Sequence, residues 1–204
     1  MIKISNFAKE GNVVTFEVSK IDIKMLNALR RTIISMIPVM AMEKVTFYNN
    51  SSILNDEMLA HRIGLVPLTT DLKTYVHSNE CSCEGKGCAR CMCMLSLDVT
   101  GPKTVYSGDL KSLDENVRPV FDKMPLVKLG MNQKIKLEAE AVMGLGRDHA
   151  KWHSGVASYE AVEKDKGTFQ VRIESFGQLP VEELITTAFD LMDVKIGQLK
   201  EKLG

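Results

Sequence analysis

Residues 81–93 read CSCEGKGCARCMC and contain all five cysteines of the 204-residue chain. Cysteines this close in sequence indicate a metal-binding loop, because a disulfide framework would join distant segments of a secreted chain. The first four have the spacing C-x-C-x4-C-x2-C, which suits four sulfurs around a tetrahedral Zn²⁺. These predicted ligands are Cys81, Cys83, Cys88 and Cys91. Since protein fills all four positions, the zinc is predicted to be structural; a reduced, metal-free loop is the alternative.

The fifth cysteine, Cys93, begins a different pattern. Leu95, Leu97 and Val99 follow it at every second position, with polar residues between them from position 96 onward. This period of two predicts a half-buried strand with Cys93 on its apolar face. We therefore expect Cys93 to be a core thiol and not a ligand.

Composition and charge narrow the function classes. The chain has 26 basic and 26 acidic residues, so its formal net charge is +0. A protein that coats nucleic acid or a membrane surface would need a basic excess. The N-terminus has no apolar signal-like stretch, and no run approaches a membrane span, which predicts a cytoplasmic protein in a reducing compartment.

The remaining pattern predicts mixed α and β structure. The predicted elements are a hairpin of residues 2–7 and 13–18, a helix over 22–36, a strand over 42–48, a short helix over 56–62, strands over 135–143 and 169–173, and a final helix from about 180 to 203. The final helix carries apolar residues at alternating steps of four and three, typical of a coiled-coil seam. Pattern alone leaves open whether this stripe packs on its own sheet or against another chain.

Two further segments have the composition of contact surfaces. Arg30 and Arg31 in the first helix are suited to a phosphate or carboxylate of a partner, although two solvated arginines are the simpler interpretation. The glycine-entered loop at 144–153 contains Trp152, a typical interface anchor. His149 and His153 lie four apart, but no third ligand is near, so a metal site is not expected there. No arrangement of residues suggests a catalytic site.

Four motifs together carry a family resemblance. They are NALRR at 27–31 with Ile37-Pro38, HRIGLVPL at 61–68, the cysteine loop, and HAKW at 149–152. In this order they resemble the D subunits of archaeal RNA polymerases, the counterparts of the third-largest eukaryotic RNA polymerase II subunit and of the bacterial alpha subunit N-terminal domain. The resemblance spans residues 2–203 and implies an α+β fold. A discontinuous dimerisation domain, a sheet with two packed helices, is expected at 1–45 and 155–204. An inserted, mostly β domain is expected at 46–154, with the zinc loop at 81–91.

The resemblance implies a non-catalytic assembly subunit of DNA-directed RNA polymerase. Such a subunit forms a heterodimer with the smaller subunit L and, with small subunits N and P, a platform for the two large catalytic subunits. The expected subunit L interface comprises Leu26, Leu29, Ile33, Ile185, Phe189, Met192, Ile196 and Leu199. The expected large-subunit contacts are Arg30, Arg31, His61, Arg62, Lys151 and Trp152.

The resemblance also implies which cofactors the chain binds. Zinc is expected, direct DNA binding is not, and no iron–sulfur cluster is expected because no cysteine lies outside 81–93. The main alternative is a free-standing zinc-binding interaction module that self-dimerises through its C-terminal helix. An enzyme that uses the cysteine loop for redox or hydrolytic chemistry is a further alternative, and it would require an open metal position or a reactive thiol.

Overall fold

The two ends of the chain fold together, and the middle of the chain forms a second unit. This is seen in a computed structural model in which residues 2–162 and 167–203 are described. The first unit comprises Met1–Ile37 and Leu145–Gly204, and the second comprises Pro38–Gly144. The divisions thus follow residues 37 and 144, whereas the sequence predicted them after 45 and 154. The first difference arises because Met40 and Met42 are fully buried in the core of the second unit.

Ten strands and three α-helices are present in the described part of the chain, besides three short 3-10 helices. They are β1 (Lys3–Glu10), β2 (Val13–Ser19), α1 (Ile23–Ser35), β3 (Pro38–Asn50), α2 (Asp56–Gly64), β4 (Met92–Thr100), β5 (Lys103–Tyr106), β6 (Lys111–Ser112), β7 (Pro125–Leu129), β8 (Lys134–Leu145), β9 (Gly155–Ala161), β10 (Thr168–Ser175) and α3 (Val181–Leu203).

The first unit is built on a four-stranded antiparallel sheet of order β1-β2-β10-β9. The predicted hairpin is present, with Glu10 opposite Val13 and Gly11 in the left-handed region at φ +58°. Valines of β2 alternate into the core, where Val14 and Val18 are buried. The inner positions of β10, Val171 and Ile173, are buried in the same core.

Two helices belong to this unit, and α1 packs against β9 and α3. Helix α1 begins where predicted, because the Asp22 side chain accepts a hydrogen bond of 2.8 Å from the Lys24 backbone N–H. Its apolar positions Leu26, Leu29 and Ile33 are buried. Helix α3 buries residues only in its first half, at Val181, Leu184, Ala188 and Met192. From residue 193 onward no described residue of this helix is buried.

The second unit contains a sheet of order β3-β8-β4-β6 and a two-stranded sheet of β5 and β7. Strand β4 has the predicted alternation: Cys93, Leu95 and Leu97 are buried, while Ser96 and Asp98 are exposed. Its partner β8 is antiparallel and alternates in the same way. Leu59 and Ile63 of α2 are buried in the same core. These strands fix the position at which the cysteine loop enters the unit.

Several strands were not predicted from the sequence, and β9 shows why. Its inward positions include Gly155 and Ala157, both buried, which give no alternation of large apolar residues. Gly155 is required by close packing, since a Cβ there would lie 2.3 Å from the Glu174 carbonyl oxygen. Strand β3 is also longer than the predicted 42–48, because it starts directly at Pro38.

Candidate metal centre and interaction surfaces

The cysteine loop is shaped by successive backbone turns. The Glu84 N–H donates to the Cys81 carbonyl at 3.0 Å, and the Cys91 N–H donates to the Cys88 carbonyl at 3.0 Å. Gly85 and Gly87 take positive φ values of +78° and +80°, as the sequence predicted. These turns fold the loop back so that both thiols of the first pair meet both thiols of the second.

The four predicted ligands come together in space. One sulfur from each of Cys81, Cys83, Cys88 and Cys91 lies within 4.8 Å of the other three. The Sγ–Sγ distances are 3.4 Å for Cys81–Cys88, 3.5 Å for Cys83–Cys91 and 3.9 Å for Cys88–Cys91. Four sulfurs at about 2.3 Å from one tetrahedral zinc ion are about 3.8 Å apart. The donor set and its spacing therefore fit a divalent metal ion bound by four thiolates.

The surroundings of the sulfurs are unequal. Cys81 and Cys91 are buried, while Cys83 and Cys88 are half-buried. A hydrogen bond from Cys81 lowers the pKa of the Cys83 thiol to about 6. Burial raises the pKa of the Cys91 thiol to about 12. The Cys88 backbone N–H donates to Cys91 Sγ at 3.3 Å, a contact that stabilises a thiolate at this buried position.

Cys93 lies outside this cluster, as predicted. Its side chain is 4 % exposed, and it lies in the core of the second unit opposite Ala141 of β8. The Cys93 Sγ is 3.4 Å from the hydroxyl of Ser112 in β6. It is a core thiol. In the described residues the four-cysteine group is the one cluster whose ligand atoms converge on a possible metal position.

The residues predicted to contact the smaller subunit differ in burial within the first unit. Leu26, Leu29 and Ile33 are covered by the unit's own core, and Met192 is only 8 % exposed. These four side chains are covered by the first unit itself. Of the other predicted interface residues on α3, Phe189, Ile196 and Leu199 are 48 %, 44 % and 58 % exposed, and Ile185 is half-buried.

The predicted large-subunit contacts have different environments. Arg62 donates from Nε to the Leu126 carbonyl at 2.8 Å and from Nη2 to the Pro125 carbonyl at 2.7 Å. These donors are engaged within the second unit, which gives Arg62 a structural role that the sequence did not indicate. His61 and Arg62 are both exposed as residues.

The two arginines of α1 have different surroundings. Arg30 donates from Nε and Nη2 to Asn27 Oδ1 at 3.3 and 3.0 Å. Arg31 is exposed and lines a groove between α1 and α3. Lys24 and Lys195 line the same groove, and sequence analysis did not select either of them. Lys24 could have been selected from the sequence, because it lies seven residues before Arg31 and therefore on the same face of α1.

The loop with Trp152 is fixed against the end of α1. The Arg147 N–H donates to the Ser35 carbonyl at 3.1 Å, and the Ser154 hydroxyl donates to the Ile33 carbonyl at 2.9 Å. These bonds satisfy carbonyls that a helix terminus leaves open. Lys151 Nζ lies 4.4 Å from the centroid of the half-buried Trp152 ring. The loop therefore presents a fixed aromatic–cation pair.

Within the described residues, the helices are all too short or too polar to cross a lipid bilayer.

Comparison with known proteins assigns the chain to a family. Residues 42–168 match the family model described as "RNA polymerase Rpb3/RpoA insert domain". A Methanosarcina mazei protein named DNA-directed RNA polymerase subunit Rpo3 is 46% identical over 143 residues, which cover 70% of this chain and 54% of that protein. Proteins of the same name from Pyrobaculum aerophilum and Thermococcus kodakarensis are 47% and 39% identical, over 66% and 80% of this chain and 53% and 61% of their own lengths.

The chain thus spans about half to three fifths of the length of the curated relatives that it matches. The family match covers well over half of the chain, including the whole cysteine loop. The chain belongs to the RNA polymerase Rpb3/RpoA insert-domain family.

Proposed function

We propose that this chain is a non-catalytic assembly subunit of a DNA-directed RNA polymerase. The observation that carries the proposal is the identity of 39–47% to proteins named DNA-directed RNA polymerase subunit Rpo3, together with the family match. Nucleotidyl transfer would take place on other subunits of the complex. A balanced charge of +0 agrees with a position away from nucleic acid. The proposed compartment is the cytoplasm.

The proposed partner surface is the exposed apolar side of α3. Phe189, Ile196 and Leu199 repeat at steps of seven and three along one helix. Apolar side chains in such a contiguous row favour coverage by another chain. We assign this surface to the smaller alpha-like subunit L. The resulting heterodimer, with small subunits N and P, would be the platform for the two large catalytic subunits.

Remaining contacts to the large subunits are proposed at Arg30, Arg31 and His61, and at Lys151 with Trp152. Arg31 and His61 are exposed, and the other three are half-buried. The aromatic–cation pair is held in place by the α1 end contacts, so it would need little ordering when a partner binds. Arg62 is left out because its guanidinium already donates within the second unit.

A structural zinc ion is proposed at the four cysteines. The sulfur spacing fits a tetrahedral ion, and four protein ligands leave no position for substrate. Bound zinc would supply the positive charge that holds all four thiols in the thiolate form. No iron–sulfur cluster is proposed elsewhere, because all cysteines of the chain lie within 81–93.

The test is mild affinity purification of the tagged chain from its native cells, followed by mass spectrometry. Two very large polypeptides and several small ones in fixed stoichiometry are expected. Recovery of the chain alone, or only as a self-dimer, would exclude the polymerase role and favour a zinc-binding module. Leu199→Glu should remove the small partner, because it places a charge in the apolar row. Leu113→Glu is the matched control, since Leu113 is 85 % exposed in the other unit.

A further inference from the structure

A groove of ≈ 360 Å³ lies within the first unit, between α1 and α3. Most of its lining comes from one side of α1, and α3 contributes one residue from its second half. The lining residues are Lys24, Asn27, Ala28, Arg31, Thr32, Ser35, Met36 and Lys195. The α1 residues recur at helical spacing, so they form a continuous wall over three turns.

Three cations and no acidic residue of the described chain line the groove. Lys24, Arg31 and Lys195 are all exposed, and no Asp or Glu of the described residues is part of the lining. None of the three takes part in an ion pair between described residues. Asp22, at the start of α1, is engaged as the helix cap. Three like charges around one small volume repel one another, and an anion between them would remove that repulsion.

Polar groups of α1 add directional donors. Asn27 Oδ1 accepts both hydrogen bonds from Arg30, so the Asn27 amide NH₂ group is the part left to donate. The guanidinium of Arg31 offers a planar fork that can bind two oxygens at once, and the lysines add point charges. The guanidinium, the amide and the two ammonium groups can together donate hydrogen bonds to a ligand with two or more negatively charged oxygens.

We propose that this groove binds an oxyanion. The shared chemistry is that of a free phosphate and of an Asp or Glu side chain of a bound polypeptide. The groove itself is defined by residues of α1 and α3. The partner-carboxylate source rests on the proposed function, in which Arg31 contacts a large subunit, whereas the free-phosphate source does not. Arg31 is the principal ligand, with Lys24 and Lys195 on either side.

The test titrates the purified full chain with inorganic phosphate and, separately, with acetate, at an ionic strength held constant with chloride. NMR shifts of the α1 and α3 amides should saturate with one site for at least one of the two anions. Arg31→Gln and Lys195→Gln should each weaken binding about tenfold or more, because each removes a charge-assisted bond. Arg31→Lys should retain part of the affinity, since the charge stays while the fork is lost.

The matched control is Lys200→Gln, which removes an exposed cation of α3 outside the groove. Its affinity should equal that of the unchanged chain. Absence of saturable binding for both anions, or equal weakening by Lys200→Gln, would overturn the proposal. Far-UV circular dichroism checks that each variant is folded, which the exposure of all the replaced side chains leads us to expect.

A second arm separates the two sources of the oxyanion. The phosphate titration is repeated on the chain purified together with its native partners. Shifts that persist in the complex identify free phosphate as the ligand. Shifts that disappear, with lower partner recovery for Arg31→Gln than for Lys200→Gln, identify a partner carboxylate. If no partner co-purifies, the polymerase role is contradicted. The titrations of the isolated chain then still show whether the groove binds an oxyanion.

Discussion

At the scale of single residues, the cysteine loop shows how similar side chains take different roles. Cys91 and Cys93 are two positions apart and both are buried. Cys91 Sγ lies 3.5 Å from Cys83 Sγ across the cluster, whereas Cys93 Sγ contacts the Ser112 hydroxyl. The strand β4 begins at Met92, between them, and its alternation turns Cys93 away from the loop.

Replacing one ligand should therefore differ sharply from replacing the core thiol. We expect Cys88→Ser to lower bound zinc well below one ion per chain, because a serine hydroxyl is a poor ligand for this ion in a thiolate set. Cys93→Ala should keep one zinc per chain and lose about 1 kcal/mol of unfolding free energy through a small cavity. Elemental analysis of the purified variants measures the metal content. Equal zinc content in the two variants would contradict the assignment of ligands.

Two glycines provide a matched pair for backbone packing. A Cβ at Gly155 would lie 2.3 Å from the Glu174 carbonyl oxygen, whereas a Cβ at Gly197 meets nothing within 4 Å. We expect Gly155→Ala to lower the unfolding free energy by about 1–3 kcal/mol through steric strain in β9. Gly197→Ala should raise the stability of α3 by up to about 1 kcal/mol, because alanine favours a helix interior. Urea denaturation of both variants gives the two values; a loss at Gly197 would be inconsistent with its open surroundings.

At the scale of elements, α3 has two halves with different surroundings. Leu184 and Ala188 of the first half are fully buried in the first unit. The second half carries exposed apolar residues among charged ones, including Leu199 and Leu203. Packing against its own unit stabilises the first half of α3, whereas the second half has no buried residue within the described chain and is stabilised less by such packing.

The helix pair yields a test of which leucines are core and which are surface. Leu29 is 6 % exposed in α1, and Leu199 is 58 % exposed in α3. We expect Leu29→Ala to lower the unfolding free energy by about 2–5 kcal/mol, because it leaves a cavity. Leu199→Ala should change it by less than about 0.5 kcal/mol in the isolated chain. Denaturant titration measures both, and a large loss for Leu199→Ala alone would show that α3 packs further along its length.

At the scale of the whole molecule, the proposed metal centre belongs to one unit only. All four ligands lie in the second unit, Pro38–Gly144, while the sheet β1-β2-β10-β9 belongs to the first. Each unit has its own buried core. The effect of the metal on folding should accordingly be local, since metal binding is coupled to the folding of the segment that supplies the ligands.

Removal of zinc should make this localisation visible. A strong chelator is expected to accelerate amide hydrogen exchange in residues 76–93, because the thiolates lose the ion that holds the loop turns together. Amides of β2 and β10 should keep their protection. Hydrogen exchange followed by mass spectrometry, with and without chelator, measures both regions. Loss of protection throughout the first unit would argue against a metal effect confined to the second unit.

Features that depend on local pattern and spacing could be predicted from the sequence without the structure. The ligand spacing of Cys81 to Cys91, the strand alternation after Cys93 and the Asp22-capped helix could all be inferred from neighbouring residues, because each rests on contacts within a few positions. Strand β9 could not be inferred in this way, because its inward residues are small and its pairing to β10 is a tertiary contact.

Which apolar residues are buried, and which charged residues have partners within the chain, could be determined only from the folded molecule. A helical stripe has the same pattern whether its own sheet or a partner covers it, so Leu29 and Leu199 were indistinguishable in sequence. The same holds for Arg62, whose guanidinium is engaged by carbonyls 63 and 64 residues away, and for Lys195, which is brought to Arg31 by helix packing. Burial and long-range pairing are properties of the folded chain, because they depend on residues far apart in sequence that folding places in contact.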